Sequence, residues 1–323
     1  MQFRTQIPIS KTNNLIDYNS KILSFGSCFA ENIAEKFDYF KFENETNPFG
    51  IIFNPVSIEN IISRIVQQKL YTEKDVFFYN ERWHSYEVHS DLSNSDRQEL
   101  LETLNKALSE TYKHLKEATH IIITYGTSWV YRNIESDEIV ANCHKVPQKQ
   151  FLKELLPVEL IQKSIQNTIE LIQSLNPNVN FIFTISPVRH IKDGFVENQL
   201  SKSHLFSGLH QVLKTHNSLP KLQDTTYNYF PSYEIMMDEL RDYRFYSEDM
   251  LHPNQIAIDY IWKLFSENYI SENSILTMQE ISEIQKSLHH RSFNPESEQH
   301  IKFLAKLRQK ISVVEQKWQH IKF

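Results

Sequence analysis

The sequence predicts an α/β fold of three layers, in which helices cover both faces of a mainly parallel sheet, with inserted hairpins and a C-terminal helical appendage. Three observations predict it. Short apolar runs of strand length alternate with segments whose apolar residues recur at i, i+3, i+4 and i+7, the pattern of βαβ units. Gly26, Gly50 and Gly126 lie in or just after apolar runs and open polar turns, as strand ends do where a parallel sheet passes into its crossovers. Beyond about residue 272 no strand signal remains and the composition is that of polar helix. The division expected is an α/β domain over 1–272 and a helical extension over 273–323.

Taken in order, Ile22-Leu23-Ser24-Phe25 reads as a first strand, and Ala30, Ile33, Ala34 and Phe37 as the apolar face of the helix after it. Asn47-Pro48-Phe49-Gly50 is a turn, and Ile58, Ile61, Ile62 and Ile65 mark a second helix. Residues 75–79 and 82–89 form a hairpin or lid around Asn80-Glu81. A helix runs over 95–118, and a buried strand over 121–125 closes at Gly126-Thr127-Ser128-Trp129. A second hairpin joins 129–131 to 138–141. A helix over 158–175 leads into the strongest strand signal, 179–185, which ends in Ser186-Pro187-Val188-Arg189-His190. A helix near 199–217 precedes a last strand at 226–230. In Asp249-Met250-Leu251-His252-Pro253, Pro253 is expected at the first position of a helix that carries Ala257, Tyr260, Ile261, Leu264 and Phe265. Two helices, 274–288 and 297–322, are expected in the tail, for packing or oligomerisation.

Composition narrows the function classes. A chain of 323 residues with 40% apolar and 12% aromatic residues buries a full core. A net charge of -6, with both signs interspersed, argues against nucleic acid or an anionic membrane as the main partner. The first residues lack a charged-then-apolar signal, and no apolar run is long enough to span a bilayer, so a soluble cytoplasmic protein is expected. Two cysteines, Cys28 and Cys143, are too few for a disulfide framework. Only five glycines occur, against roughly 23 at average usage, so each is expected to hold a backbone position closed to other residues. The sequence sets no oligomeric state.

In Phe25-Gly26-Ser27-Cys28-Phe29-Ala30 a strand turns sharply into a helix, and a thiol there meets the positive end of the helix dipole, which favours thiolate. Asp249 lies three residues before His252, a spacing that lets the carboxylate orient the imidazole and stabilise its charged form. Arg189, His190, Lys145 and Lys202 are candidates to line a cleft and bind an anionic group, and Trp83, Trp129, Tyr243 and Tyr246 to stack on a sugar ring. Metal binding by Cys28, Cys143 and His144 has poor chelate spacing, so neither metal nor cofactor is expected.

Gly26-Ser27-Cys28-Phe29-Ala30 spells the motif of the GSCFA family, a bacterial group related to the SGNH (GDSL-type) hydrolases, and further blocks resemble that family: Asn47-Pro48-Phe49-Gly50, Gly126-Thr127-Ser128, Asn142-Cys143-His144-Lys145, Ser186-Pro187-Val188-Arg189-His190, and Tyr243-Arg244-Phe245-Tyr246 leading to Asp249 and His252. The resemblance covers roughly 20–265 and implies an SGNH/flavodoxin-like sheet. It also implies an ester hydrolase or acyltransferase with Cys28 as nucleophile, His252 as base and Asp249 as orienting carboxylate. Ser27, one residue off the superfamily register, is the alternative nucleophile. Gly50 matches an oxyanion-binding glycine. Gly126 matches the third block, whose oxyanion-binding asparagine is replaced by Ser128, so the resemblance leaves that task to Ser128 or to Asn142. His144, Arg189 and His190 are the remaining candidates for substrate contact. The implied partner is a small-molecule or saccharide ester, with an acyl-thioester as possible donor. A catalytically degenerate module that only binds such a ligand is the competing reading.

Overall fold

Lys21-Ile-Leu-Ser-Phe-Gly26, polar only at its ends and at Ser24, forms the first strand of the sheet and is buried along nearly its whole length. The structure, a computed structural model, describes residues 5–218, 225–290 and 293–323. Along the chain come β1 (Lys21–Gly26), α1 (Cys28–Tyr39), β2 (Glu43–Thr46), α2 (Pro55–Val66), β3 (Phe77–Tyr79), β4 (Arg82–His84), α3 (Arg97–Glu117), β5 (His120–Tyr125), β6 (Trp129–Asn133), β7 (Ile139–Val140) and β8 (Phe151–Leu155). There follow α4 (Val158–Leu175), β9 (Asn180–Ile185), α5 (Phe195–Ser218), β10 (Tyr227–Phe230), the short α6 (Ser232–Glu234), α7 (Gln255–Tyr269), α8 (Glu272–Leu288) and α9 (Glu298–Lys317).

Five strands form one parallel sheet in the order β10-β9-β5-β1-β2. Counted only among themselves, they follow the order 2-1-3-4-5 of doubly wound flavodoxin-like sheets, whose ligands bind at the carboxyl ends where the winding reverses. Here that point lies between β1 and β5, with Gly26 paired to Thr124. The alternation of side chains along each strand sorts the core in two. Leu23, Phe25, Ile121, Ile123, Phe181 and Phe183 join the helices α2 to α5 on one face. Ile22, Ile122, Ile182 and Phe230 join α1 and α7 on the other. The three-layer α/β/α expectation is thus the observed architecture.

The differences from expectation have physical reasons. β2 reads Glu-Asn-Glu-Thr and pairs on one side only, so it has no apolar alternation to announce it. β8 pairs antiparallel with β6 and makes the second hairpin a three-stranded sheet; its run of exposed Leu152 and Lys153 hides it in the sequence. The first hairpin is shorter than expected, β4 ending at His84, with Asn80 and Glu81 both at positive φ in its two-residue turn. Pro253 is not the first helical residue: Asn254 caps α7, its side chain accepting from the Ala257 N–H, which displaces the start to Gln255. The two insertions meet in a third small cluster of Val140, Val146 and Phe151 with Phe77 and Tyr86. In the tail, Met278, Ile281 and Ile284 of α8, with Leu307 and Val314 of α9, extend the second core. Among the described residues, no helix is long and apolar enough to cross a membrane.

Gly26 stands at φ +143°, and a Cβ there would sit 2.3 Å from the Thr124 carbonyl oxygen. Substitution Gly26→Ala therefore adds backbone strain to a clash with a strand that cannot withdraw, and a loss of about 3 kcal/mol is expected in urea unfolding. A loss below about 1 kcal/mol would show that the two strands separate freely at this end.

Candidate active site

The turn between β1 and α1 is held from three directions. The Ser27 N–H donates to the Thr124 carbonyl at 3.1 Å. The Gly26 N–H donates to Oδ1 of Asn47 at 2.8 Å, which gives the Asn47-Pro48-Phe49-Gly50 block a structural task. The Ser27 hydroxyl caps α1, accepting from the Phe29 N–H at 3.3 Å, and Ser27 is fully buried. Cys28 is the first residue of α1 and only partly buried.

The expected thiolate is not what the site produces at rest. Burial pushes the Cys28 thiol up, and Glu31 on the next part of the helix pushes the same way. The N–H groups of Phe29 and Cys28 and the charge of Lys202 pull it down, but they do not outweigh desolvation. Cys143, lacking any such opposition, is pushed up to about 11.

Asp249 and His252 form the pair that their spacing predicts, with Nδ1 of His252 2.5 Å from Oδ2 of Asp249. The other carboxylate oxygen accepts from the N–H groups of Leu251 and His252 at 2.9 and 3.0 Å, so the loop closes on its own aspartate. These backbone and ring hydrogen bonds pull Asp249 down to about 2. With Nδ1–H donated to the carboxylate, Nε2 carries the basic lone pair. Ser247 and Asn254 fasten the two ends of the loop to each other through bonds to His252 and Phe245 carbonyls.

Lys202 and His190 are linked electrostatically to these two groups, Lys202 to Cys28 and His190 to both Lys202 and His252. Lys202, on α5, is completely buried, and its Nζ donates to the carbonyls of Gly126 and Ser186 at 2.7 Å each. Those residues follow β5 and β9, so one ammonium ties together two adjacent strand ends. Burial lowers Lys202 to about 7, with Cys28 acting in the opposite direction. His190 stacks on Phe53 at 5.2 Å, and its N–H donates to Oδ1 of Asn198 at 2.9 Å. Burial, Lys202 and His252 together hold it down to about 3. Nε2 of His190 and Nε of its neighbour Arg189 are buried without a hydrogen-bond partner.

The other expected site residues are engaged elsewhere. The Gly50 N–H closes a turn on the Asn47 carbonyl at 2.7 Å. Ser128 is fully buried, its hydroxyl donating to the Ser201 carbonyl at 2.9 Å and its N–H to the Ser201 hydroxyl at 2.7 Å. Two expected oxyanion donors are thereby committed within the protein. Asn142 accepts from Ser90 and from the His144 N–H through Oδ1. His144 is buried beside His84, Nε2 donating to the Ser85 carbonyl at 2.7 Å and Nδ1 paired with Ser90; burial, helped by His84 and His89 and opposed by the Ser85 carbonyl, lowers it to about 4. Asn142 and His144 thus pin the inserted loops to each other. Lys145 is exposed. Among the described residues, no group of three or more His, Cys, Asp or Glu is arranged to hold a metal ion.

Sequence reasoning named Lys202 as a candidate for an anionic group but not the buried stripe of α5 that carries it. Asn198, Ser201, Lys202 and Leu205 recur at the spacing of a core-facing stripe, and all are buried. A lysine in register with that stripe is the signal that points inward.

Comparison with known proteins gives a family and a set of distant structural likenesses. The model of the GSCFA family matches residues 21–265, and that of the GSCFA domain protein C-terminal domain matches 281–323. No curated protein matches. Among solved structures, an acetyl xylan esterase from the rumen bacterium Butyrivibrio proteoclasticus matches at 9% identity and a TM-score of 0.37, over 79% of this chain and 66% of that one. A carbohydrate esterase family 3 protein from Talaromyces cellulolyticus matches at 8% identity and a TM-score of 0.36, over 81% of this chain and 99% of that one.

Because burial outweighs the helix terminus at Cys28, alkylation by iodoacetamide should be slow at pH 7. Its rate should reach half its limit above the ordinary thiol range of about 8.5. A midpoint below about 7 in a Cys143→Ser background would mean that the dipole and Lys202 win after all. Ser27→Ala, which removes a buried cap, should cost about 1 kcal/mol of stability while leaving Cys28 open to alkylation.

Proposed function

The chain belongs to the GSCFA family, and from this premise and the geometry of its cleft we propose that it performs acyl-ester chemistry, hydrolysis or acyl transfer, with Cys28 as nucleophile. The observation that carries the reading is the division of labour around the β1–α1 turn. Ser27 is buried and spent on capping, Cys28 is only partly buried at the head of α1, and the chain carries a carboxylate-oriented histidine, His252, whose charge is felt at His190 beside Lys202.

A thiol held protonated by burial needs a base, and His252 supplies one. Sγ of Cys28 attacks the ester carbonyl carbon as its proton passes to Nε2 of His252. Asp249, low in pKa and fixed by two backbone N–H groups, stabilises the imidazolium. When the tetrahedral adduct collapses, the carbon–oxygen bond breaks and the departing alkoxide takes the proton from His252. A thioester on Cys28 remains. Water or an acceptor alcohol or amine then attacks it, with His252 removing the acceptor's proton and returning it to sulfur.

Oxyanion stabilisation falls to the N–H of Cys28 at the start of α1, since Gly50, Ser128 and Asn142 are engaged. Arg189 and His190, each with a buried nitrogen lacking a partner, are assigned to polar groups of the substrate. Exposed Tyr243, beside Tyr246 at a centroid distance of 5.8 Å, offers a stacking surface for a sugar ring on the His252 loop. An acylated saccharide is the substrate class that this combination favours. The commitment of two oxyanion donors favours the competing reading, a binding module for the same ligand.

Intact-protein mass spectrometry after incubation with short acyl esters and acyl-thioesters separates the two. An acyl adduct is expected on the wild type and on Ser27→Ala, absent from Cys28→Ala, and formed about 100- to 10,000-fold more slowly in His252→Ala. No adduct with any donor, while Cys28 remains open to alkylation, would give the cleft to the binding reading.

A further inference from the structure

A completely buried lysine needs an anion, and Lys202 has none in the resting protein. Its Nζ spends two hydrogen bonds on the neutral carbonyls of Gly126 and Ser186. Among the described residues no carboxylate lies within ion-pair distance of it. An ammonium has three donors, so one N–H remains. The ring of Tyr233 lies 5.7 Å from it, and the titratable groups coupled to it electrostatically are Cys28 at the start of α1 and His190 in the segment after β9. His190 is held neutral and Tyr233 is pushed above the usual phenol range, so neither answers the charge near pH 7. Glu31, the remaining charged neighbour of the thiol, acts on Cys28 and raises it.

The backbone places the pair. Gly26 is in register with Thr124, two residues before the Gly126 carbonyl that Lys202 holds, and Ser27 is bonded to Thr124. The ammonium therefore sits at the strand end next to the one that delivers Cys28. We propose that Lys202 is a positioning residue whose buried ammonium is the counter-charge of the Cys28 thiolate, so that formation of the thiolate completes an ion pair left half-built in the resting cleft. Resting on the assignment of Cys28 as nucleophile, the proposal deepens it: the charge appears on sulfur where a cation already waits, and His252 is left to carry the proton. The clamp on the Gly126 and Ser186 carbonyls keeps that cation from leaving.

The pair is tested without any ester. In a Cys143→Ser background, iodoacetamide alkylation of Cys28 followed by mass spectrometry from pH 6 to 10 should be about tenfold slower at pH 6.5, where Lys202 carries its charge, in Lys202→Met, with the limiting rate at high pH little changed. Lys202→Arg should restore part of the loss. An unchanged profile in a Lys202→Met protein that melts normally would overturn the pairing. Should Lys202→Met fail to fold, the reciprocal measurement needs no substitution at Lys202. In protein labelled with 13C-lysine, the resonance titrating near neutral pH should move to lower pH in Cys28→Ala, and a midpoint that stays in place overturns the proposal. Acyl adducts enter neither readout. Shifted midpoints without an adduct keep the ion pair and sink the acyl chemistry; an adduct with unmoved midpoints does the reverse.

Discussion

The contact between Gly26 and the backbone of Thr124 is the constraint on which the rest of the cleft depends. Two parallel strands converge there closely enough to exclude a Cβ, at the place where the direction of sheet winding reverses. Because Gly26 takes a φ closed to other residues, the chain leaves β1 sideways, and Ser27 can both bond to Thr124 and cap α1. Cys28 inherits a fixed position from these bonds. The Asn47 side chain, in the loop after β2, closes the same turn from the far side. A block between two helices thus belongs to the β1–α1 turn as much as the glycine does.

Electrostatically the cleft withholds charge in its interior and displays it at its rim. Cys28 and His190 are kept neutral by burial, and Lys202 is brought down to near neutrality in its pH behaviour. Asp249 and His252 are each about half exposed, where hydration sustains an ionised carboxylate. Such a division suits a reaction in which charge must appear on sulfur only when a proton has somewhere to go. It also explains why a helix N-terminus alone does not make Cys28 a resting thiolate: burial raises the thiol by more than the N–H groups of that terminus lower it.

What the sequence discloses follows from how its residues are buried. The central strands β5 and β9 and the helix α4 are legible because each carries an unbroken apolar run or a helical stripe. The edge strand β2 is not, since a strand paired on one side and wetted on the other needs no apolar alternation. At the site, the Asp249–His252 pair is legible because three residues of loop are enough to close it. The fates of Gly50 and Ser128 are not, because whether an N–H or hydroxyl faces a cleft depends on partners distant in sequence, such as Ser201, 73 residues on. His144 misleads for a related reason: a polar motif can be built to pin two insertions together.

The C-terminal helices meet the domain at α1. Gln285 of α8 donates to the Tyr39 carbonyl at the end of that helix, and Trp318 lies 5.2 Å from Tyr18, within the core that also holds Phe37 and Trp262. The helix that begins with Cys28 therefore ends against the tail. A chain that lost the tail would expose the underside of the helix that carries Cys28. A recombination that swapped one without the other would have to rebuild an apolar face first.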